Sequence, residues 1–177
     1  MIETERLRLR DYRENERDRV AALNADPQVG AWLGGVLGRA QSDAMFDRIR
    51  AHIAQRGYGL WAAERKSDGA LIGIIGLNTI PSDLPLAPGI EMSWRLFPHA
   101  WGEGYASEGA AAALTWGLAH IDTPEIVAFT TTNNQRSEAI MRRIGMTRDV
   151  ARDFEHPRLA VGHPLRSHIV YAAQRSV

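Results

Sequence analysis

Residues 102–107 form a segment whose composition suits the binding of an anion. Gly102 and Gly104 follow the end of an alternating segment, and an alanine-rich stretch that favours a helix begins at Ala106. The first amides of a helix have no partner within the helix, and the helix dipole favours negative charge at the same place. A pyrophosphate could therefore bind such a turn without a basic side chain. The same residues also suit a tight strand-to-helix turn whose small side chains serve packing alone.

Two other nucleotide-binding motifs fit this segment poorly. A P-loop requires Gly-Lys followed by Ser or Thr, and the segment contains no lysine. A dinucleotide fingerprint, G-x-G-x-x-G, should follow the first strand of a βαβ unit, but Ser107 occupies the position of its third glycine. Glu125, which lies about 20 residues further on, begins its predicted strand instead of ending it. A dinucleotide-dependent oxidoreductase is therefore the least favoured interpretation.

The overall composition predicts one soluble domain over residues 1–177. Lys plus Arg and Asp plus Glu number 21 each, so net charge gives no attraction to nucleic acid or to an anionic membrane. No apolar run approaches the roughly 20 residues that a membrane helix requires. The polar N-terminal residues do not resemble a signal peptide, and we expect a cytoplasmic protein.

The side chains that commonly bind metals are absent or badly spaced. The chain has no cysteine, which removes thiolate ligands and a cysteine nucleophile together. The histidines do not occur at metal-ligand spacing, and we expect no metal site. They are His52, His99, His120, His156, His163 and His168.

Hydrophobic periodicity and turn residues predict the elements that must position the glycine segment. The predicted strands are Thr4–Asp11, Tyr58–Glu64, Leu71–Leu77, Ile90–Leu96, Glu125–Thr131, Thr147–Phe154 and Ser167–Ala173. The predicted helices are Asn15–Asn24, Ser42–Arg56, Ala106–Ala119 and Gln135–Ile144. This order, β-α-α-β-β-β-α-β-α-β-β, indicates an α/β fold with a central mixed sheet and helices on both faces.

The glycine segment resembles the acetyl-CoA motif of the GNAT acyltransferase superfamily, Q/R-x-x-G-x-G/A. Residues 101–106 read Trp-Gly-Glu-Gly-Tyr-Ala, with Trp101 in place of the usual Gln or Arg. This form is typical of the ribosomal-protein (Rim-type) N-acetyltransferase branch, whose first strand the opening residues 4–10 also resemble. Residues 134–146 are similar to a second motif of the family, so the resemblance covers nearly the whole chain.

The resemblance implies the GNAT fold, acetyl-CoA as co-substrate without a metal, and an amine as acceptor. The acceptor could be a protein N-terminus, a polyamine, an amino-sugar drug or a small amino acid, and the family resemblance allows a homodimer. The residues expected to bind acetyl-CoA are Leu96, Phe97, Trp101, Gly102, Glu103, Gly104, Tyr105, Ala106, Ser107 and Asn134.

Glu91 is the candidate general base. It lies on the polar face of the predicted strand before the glycine segment, where the family commonly places an acid or a water-positioning group. An amine must lose a proton before it attacks, because its pKa is near 8 for an α-amine and near 10.4 for a lysine-like amine. The alternative is an exposed strand glutamate that pairs with Arg95.

Two other groups complete the expected mechanism. Backbone amides at residues 94–97 would polarise the acetyl carbonyl. Many family members protonate the leaving thiolate with a tyrosine, but this chain has Met141 there, and the resemblance points to Ser137 as a substitute. Ser137 could also serve only the first turn of its helix. Met141 therefore supports a second hypothesis, a non-catalytic acyl-CoA-binding module.

Two segments outside these motifs are unusual. Residues 154–168 contain histidine, proline and aromatic residues, which favour an ordered hairpin, with a substrate-side loop as the alternative. Trp32, which lies among glycines between the first two predicted helices, could line an acceptor cleft.

Overall fold

The computed structural model describes residues 1–175, and within that range the chain forms one nine-stranded sheet with five helices. The strands are β1 (Ile2–Glu3), β2 (Leu7–Arg10), β3 (Leu60–Arg65), β4 (Leu71–Thr79), β5 (Ile90–Leu96), β6 (Glu125–Thr131), β7 (Thr147–Arg148), β8 (Phe154–Glu155) and β9 (Ser167–Gln174). The helices are α1 (Arg17–Ala25), α2 (Pro27–Gly30), α3 (Arg39–Arg56), α4 (Tyr105–His120) and α5 (Gln135–Arg143).

The sheet is mixed, as the order of the predicted elements indicated. Its strand order is β1-β2-β3-β4-β5-β6-β9-β7, and β8 also pairs with β9. Neighbouring strands run antiparallel except β5 and β6, which run parallel. The parallel pair is possible because α4 crosses over between them. The predicted fold class is confirmed.

Small residues allow α4 to pack closely on one face of the sheet. A Cβ atom on Gly109 would lie 2.6 Å from Ile75 Cδ1, and one on Gly117 would lie 2.5 Å from Leu77 Cδ1. Both positions therefore favour glycine, because a Cβ atom would force these buried side chains to move. Helices α1 and α3 pack against each other on the opposite face, where Phe46 of α3 is buried. Helices thus cover both faces, as expected.

Strands β5 and β6 separate from each other soon after they meet. They share a single paired position, Glu91 with Val127. On its other edge β5 pairs continuously with β4, from Ile90 to Leu96. Because β5 stays with β4, the two parallel strands diverge beyond Glu91 and leave a gap. This gap opens toward the end of β5 and the start of α4.

The prediction of one strand over Thr147–Phe154 is wrong. The structure has two short strands, β7 and β8, joined by a 3-10 turn at Val150–Arg152. Ion pairs within this segment bend the chain, since Arg148 pairs with Asp153 at 2.5 Å and Arg152 with Asp149 at 2.8 Å. The 3-10 turn therefore interrupts the strand that the sequence predicted to be continuous.

The segment between the first two long helices is more helical than the sequence indicated. The first predicted helix, Asn15–Asn24, corresponds to α1, which ends at Ala25, and Asp26 then caps α2 by accepting a hydrogen bond from the amide of Gln28 at 2.8 Å. Pro27 occupies the first position of α2, where its missing N–H costs nothing. Helix α3 then begins at Arg39, three residues before the predicted start.

Candidate active site

A cleft of about 1380 Å³ passes through the gap between β5 and β6. Its walls come from β5, the turn before α4, helix α5, the end of α2 and the segment before β9. Most of the predicted site residues line it: Glu91, Leu96, Trp101, Gly102, Glu103, Gly104, Ala106, Ser107, Asn134 and Ser137. Trp32 lines it as well. The structure therefore brings both sequence motifs to one cavity.

Two of the predicted cofactor-binding residues lie away from this cleft. Phe97 is buried, and its ring lies beneath the guanidinium of Arg19, at 4.0 Å from the ring centroid. The ring of Tyr105 packs beneath Arg6 at 4.7 Å. Both rings therefore pack against arginine side chains of the N-terminal region and do not contribute to the cleft wall.

The turn before α4 presents free backbone amides to the cleft. Gly102 and Gly104 have φ angles of +81° and +82°, in the left-handed region that favours glycine. Gly104 is the N-cap of α4, which has no side-chain cap. Within the described part of the chain, the amides of residues 104–107 find no hydrogen-bond acceptor. This geometry fits a pyrophosphate, as the sequence predicted.

Trp101 and Arg6 brace this turn. The indole Nε1 of Trp101 donates to the carbonyl of Leu96 at 2.8 Å, which ties the turn to the end of β5. Arg6 donates to the carbonyl of Glu103 at 3.0 Å and is itself held by Glu108 at 2.6 Å. Trp101, which stands where the motif usually has Gln or Arg, thus stabilises the turn through its hydrogen bond to Leu96.

Arg136 and Arg143 are functional candidates that the sequence analysis missed. Both line the cleft from α5, Arg136 over the ring of Trp101 at 5.2 Å and Arg143 donating to the hydroxyl of Ser107 at 3.1 Å. Neither pairs with a carboxylate of residues 1–175. Their seven-residue spacing, which places both on one face of a helix, could have revealed them.

Glu91 lies at the point where β5 and β6 separate. Its carboxylate lines the cleft and makes no hydrogen bond or ion pair with any group of residues 1–175. The apolar residues Ile80, Leu84 and Val127 form a buried cluster beside its strand position. Burial raises the pKa of Glu91 to about 7. The alternative ion pair with Arg95 is not formed.

The expected carbonyl-binding amides are fewer than the sequence indicated. The amide of Phe97 donates to Ile72 in β4 at 3.0 Å, so it does not face the gap. Because amides alternate in direction along an antiparallel strand, those of Trp94 and Leu96 point away from β4 and into the gap. These two groups are the donors available to an oxyanion.

The start of α5 lies across the gap from these amides. The side chain of Asn134 accepts a hydrogen bond from the amide of Ser137 at 3.2 Å and so caps the helix. The hydroxyl of Ser137 faces the cleft and makes no hydrogen bond within the described residues. Met141 is buried and also lines the cleft. Ser137 therefore provides a hydroxyl group of α5 in the cleft wall, whereas Met141 offers no proton.

Aromatic rings and imidazoles line the other end of the cleft. His168 stacks on Phe154 with ring centroids 5.3 Å apart, and the ring of His156 lies 5.1 Å from it. Both histidines and Phe129 line the cleft. Burial lowers the pKa of each imidazole, so both are neutral at pH 7. The unusual segment of residues 154–168 is an ordered structure that also borders the cleft.

No helix within residues 1–175 is long and apolar enough to cross a lipid bilayer. No three potential metal-ligating side chains come together there.

Comparison with known proteins identifies the family. The sequence model described as "Acetyltransferase (GNAT) domain" matches residues 6–147. The uncharacterized N-acetyltransferase YoaA of Bacillus subtilis is 23% identical over 151 residues, which are 84% of each chain. FsC-acetyl coenzyme A-N(2)-transacetylase of Aspergillus fumigatus is 26% identical over 157 residues, 82% of this chain and 64% of that protein.

Solved structures share the fold. An acetyltransferase of the GNAT family from Bacillus anthracis superposes with a TM-score of 0.79 at 22% identity over 98% of each chain. Spermidine N-acetyltransferase from Vibrio cholerae has a TM-score of 0.76 at 14% identity, over 97% of each chain. RimL ribosomal L7/L12 alpha-N-protein acetyltransferase has a TM-score of 0.75 at 20% identity, over 97% of this chain and 95% of that one. The fold therefore does not single out the Rim-type branch.

The matched region, residues 6–147, contains the glycine turn, Glu91 and the whole of α5. It covers well over half of the chain, and the structural neighbours share the fold over at least 97% of it. The chain therefore belongs to the GNAT acetyltransferase family and is an acetyl-transferring enzyme.

Proposed function

We propose that the protein transfers an acetyl group from acetyl-CoA to a primary amine by direct attack, and that it does so in the cytoplasm. The observation that carries this proposal is Glu91, an unpaired carboxylate at the point where β5 and β6 separate. A half-buried carboxylate with no hydrogen-bonding or ionic partner among residues 1–175 costs stability, which argues for a role in chemistry. The absence of cysteine favours direct attack over a thioester intermediate on the enzyme.

The cofactor end of the cleft would hold the phosphates of acetyl-CoA. The free amides of residues 104–107 would bind the pyrophosphate at the positive end of α4. Arg136 and Arg143, which have no carboxylate partner in the described structure, would add charge-assisted hydrogen bonds. The pantetheine arm would then follow β5 toward Glu91.

Glu91 would accept the proton that the amine loses, directly or through one water. A pKa of about 7 places this carboxylate near the pH at which it must work. The nitrogen of the amine forms a bond to the acetyl carbon, and the bond from that carbon to sulfur breaks. The amides of Trp94 and Leu96 would stabilise the oxyanion that forms between these two events.

Ser137 is the candidate donor of a proton to the departing sulfur. Its hydroxyl faces the cleft, whereas Met141, at the position of the usual tyrosine, cannot donate. A thiol with a pKa near 8.5 also leaves tolerably well as a thiolate. The contribution of Ser137 to the rate is therefore expected to be smaller than that of Glu91.

Two structural neighbours support a primary amine as the acceptor. Their names describe an alpha-N-protein acetyltransferase and a spermidine N-acetyltransferase, both of which act on amines. The sequence of residues 101–106 favours the Rim-type branch within this class.

Met141 supports one competing function, a module that binds acyl-CoA without catalysis. It is buried in the cleft wall and offers no proton. Such a module would bind CoA, but it would gain nothing from an ionisable carboxylate at Glu91. Turnover therefore separates the two hypotheses.

The test is the release of CoA thiol across a panel of primary amines, together with calorimetric binding of acetyl-CoA. We expect turnover by the wild type, a large loss in Glu91→Gln, and acetyl-CoA affinity unchanged in that variant. Glu5→Gln, at an exposed glutamate, is the matched control and should behave as wild type. Binding without turnover of any amine would instead favour the module.

A further inference from the structure

We propose that the acceptor amine also carries a carboxylate, which the guanidinium of Arg95 binds. This inference rests on the proposed function and specifies the substrate of the same site. It follows from the position of Arg95, from its unused hydrogen-bond donors, and from the charges of the groups around it.

Arg95 lies on the same face of β5 as Glu91. Side chains alternate along a strand, so residues 91, 93 and 95 share one face. Arg95 donates a hydrogen bond to Asn24 of α1, which fixes this face as the one opposite α4. Arg95 and Glu91 both line the cleft, with Cα atoms about 13 Å apart along the strand.

Most of the donors of Arg95 are unused. A guanidinium has five N–H groups, and among residues 1–175 the side chain of Asn24 is its one oxygen acceptor. The nitrogens of Arg95 that lack a hydrogen-bond partner are not sealed off from solvent, because none of them is among the fully enclosed unpaired atoms. Their N–H groups therefore reach the cleft. Asn24 is itself held by Ser42 at 2.8 Å, which keeps the guanidinium in place.

No other arginine in the described structure has this combination of burial and missing charge partner. The half-buried and buried arginines elsewhere in residues 1–175 each pair with a carboxylate, as Arg10 does with Glu16 and Glu64. The others without a carboxylate, such as Arg136, are exposed. Partial removal of a guanidinium from water is unfavourable unless an anion compensates it.

A carboxylate is the anion that would compensate Arg95. Its two oxygens match the planar fork of the guanidinium in a bidentate pair. The oxygen acceptor that the protein supplies to Arg95 is the neutral side-chain amide of Asn24. Burial without an anion lowers the pKa of Arg95. An acceptor that brings its own carboxylate would therefore complete the site.

The other groups on the acceptor side add no free positive charge. His156 and His168 are neutral at pH 7 because burial lowers their pKa values. Arg158 lines the cleft, but Asp83 neutralises it through hydrogen bonds of 2.6 and 2.7 Å. Arg95 and Glu91 thus form a cation and an acid on one face, matched to an acceptor with a carboxylate and an amine. A polyamine would place a second cation near Arg95 and is disfavoured.

Binding of a CoA phosphate is the main competing role for Arg95. The face of β5 that carries Arg95 is opposite α4, whereas the free amides belong to the first turn of α4 itself. Arg136 and Arg143 already provide cations on the α4 side. The geometry therefore favours the acceptor, and the affinity for CoA decides between the two roles.

The experiment compares kcat/KM for 4-aminobutyrate with that for its carboxamide, since their amines have similar basicity. O-phosphoethanolamine and ethanolamine form a second pair that reports on phosphate. We expect wild type to prefer the carboxylate at least about tenfold, and Arg95→Gln to reduce this ratio about 10- to 100-fold with CoA affinity unchanged. Arg95→Lys, which keeps the charge without the fork, should retain part of the preference.

The double variant Asp83→Asn/Arg158→Gln is the matched control, because it removes a paired arginine from the same cleft without changing net charge. It should keep the wild-type ratio. Four results would each overturn the inference and leave acetyl transfer intact. Two concern the carboxylate: equal turnover of acid and amide by wild type, or an unchanged ratio in Arg95→Gln. The other two are a stronger preference for phosphate and weakened CoA binding in Arg95→Gln. Binding of CoA without turnover of any amine overturns the proposed function and this inference with it.

Discussion

Two groups of buried charges in this molecule contrast with each other. On β2 and β3, Glu64 is 3% exposed and accepts hydrogen bonds from Arg10 at 2.8 Å and Arg13 at 3.0 Å. Arg10 also binds Glu16 at 2.9 Å. Burial alone would raise the pKa of Glu64, but the hydrogen bond and charge of Arg10 outweigh it and lower that pKa. This network is saturated, in the sense that each of its charged side chains has a partner of opposite charge.

On β5, Glu91 and Arg95 are half-buried in the cleft wall and have no ionic partner in residues 1–175. Burial raises the pKa of Glu91 to about 7 and lowers the pKa of Arg95. The two regions contain the same residue types, so residue type alone does not distinguish them. A network in which every charge has a partner stabilises the fold, whereas charges left unpaired beside a cleft are available to substrates.

The largest expected effect is on stability, in the saturated network. Glu64→Gln removes the negative charge that pairs with Arg10 and Arg13. It should lower the free energy of unfolding by about 3 to 5 kcal/mol. Denaturant unfolding measures this change, and the specific activity of the folded fraction should stay at the wild-type value. Glu5→Gln serves as the surface control, expected within about 0.5 kcal/mol of wild type. If Glu64→Gln were as stable as that control, the proposed structural role of the network would be wrong.

Glu91→Gln should lower kcat by about 100-fold at pH 8, because the amine loses its general base. Steady-state release of CoA thiol measures it, and acetyl-CoA affinity by calorimetry should not change. A variant with the wild-type kcat would contradict the assignment of Glu91 as the base.

The same substitution should stabilise the protein above neutral pH. The pKa of Glu91 rises from 4.5 to about 7 on folding, so the folded state holds this proton more tightly than the unfolded chain. The contribution of Glu91 to stability is fully present below pH 4.5 and is lost as the pH rises through 7. Glu91→Gln should therefore be more stable than wild type at pH 8, on the order of 2 kcal/mol.

Thermal unfolding of both proteins from pH 4 to pH 8 checks this prediction. The difference between them should shrink toward acid pH. A variant that is less stable than wild type at pH 8 would show that the Glu91 carboxylate has a stabilising partner after all.

The smallest effect concerns the arginines of α5. Arg136→Gln and Arg143→Gln should each weaken CoA binding by about 1 kcal/mol, and less at high salt, because both side chains are exposed. Arg142→Gln is the matched control, since Arg142 pairs with Glu138 on the same helix at 3.5 Å. Calorimetry at two salt concentrations makes the comparison. Equal losses in all three variants would mean that general charge, and not position, attracts CoA.

The sequence predicted the elements with strong local signals. Strand β5 has the predicted bounds, Ile90–Leu96, because its apolar and polar side chains alternate without interruption. The glycine turn was predicted together with its free amides, since glycine and small residues before a helix have few other uses. Glu91 was named from its place on the polar face of β5.

The features that the sequence could not reveal depend on partners that are distant in the chain. Arg95 was considered as a partner of Glu91, but its acceptor, Asn24, lies 71 residues away in sequence. The amide of Phe97 was expected to be free, and pairing with β4 consumes it. An unpaired charge is a property of the folded surroundings, which no local pattern contains.

The assignment of Glu91 as the general base is best examined through the pH dependence of kcat/KM, because that ratio reports the ionisation of the free enzyme. With one amine as acceptor, wild type should show an ascending limb with an apparent pKa of about 7, and Glu91→Gln should lose that limb. Should Glu91→Gln keep the limb near pH 7, the unpaired carboxylate of β5 would not be the base, and the account would be contradicted.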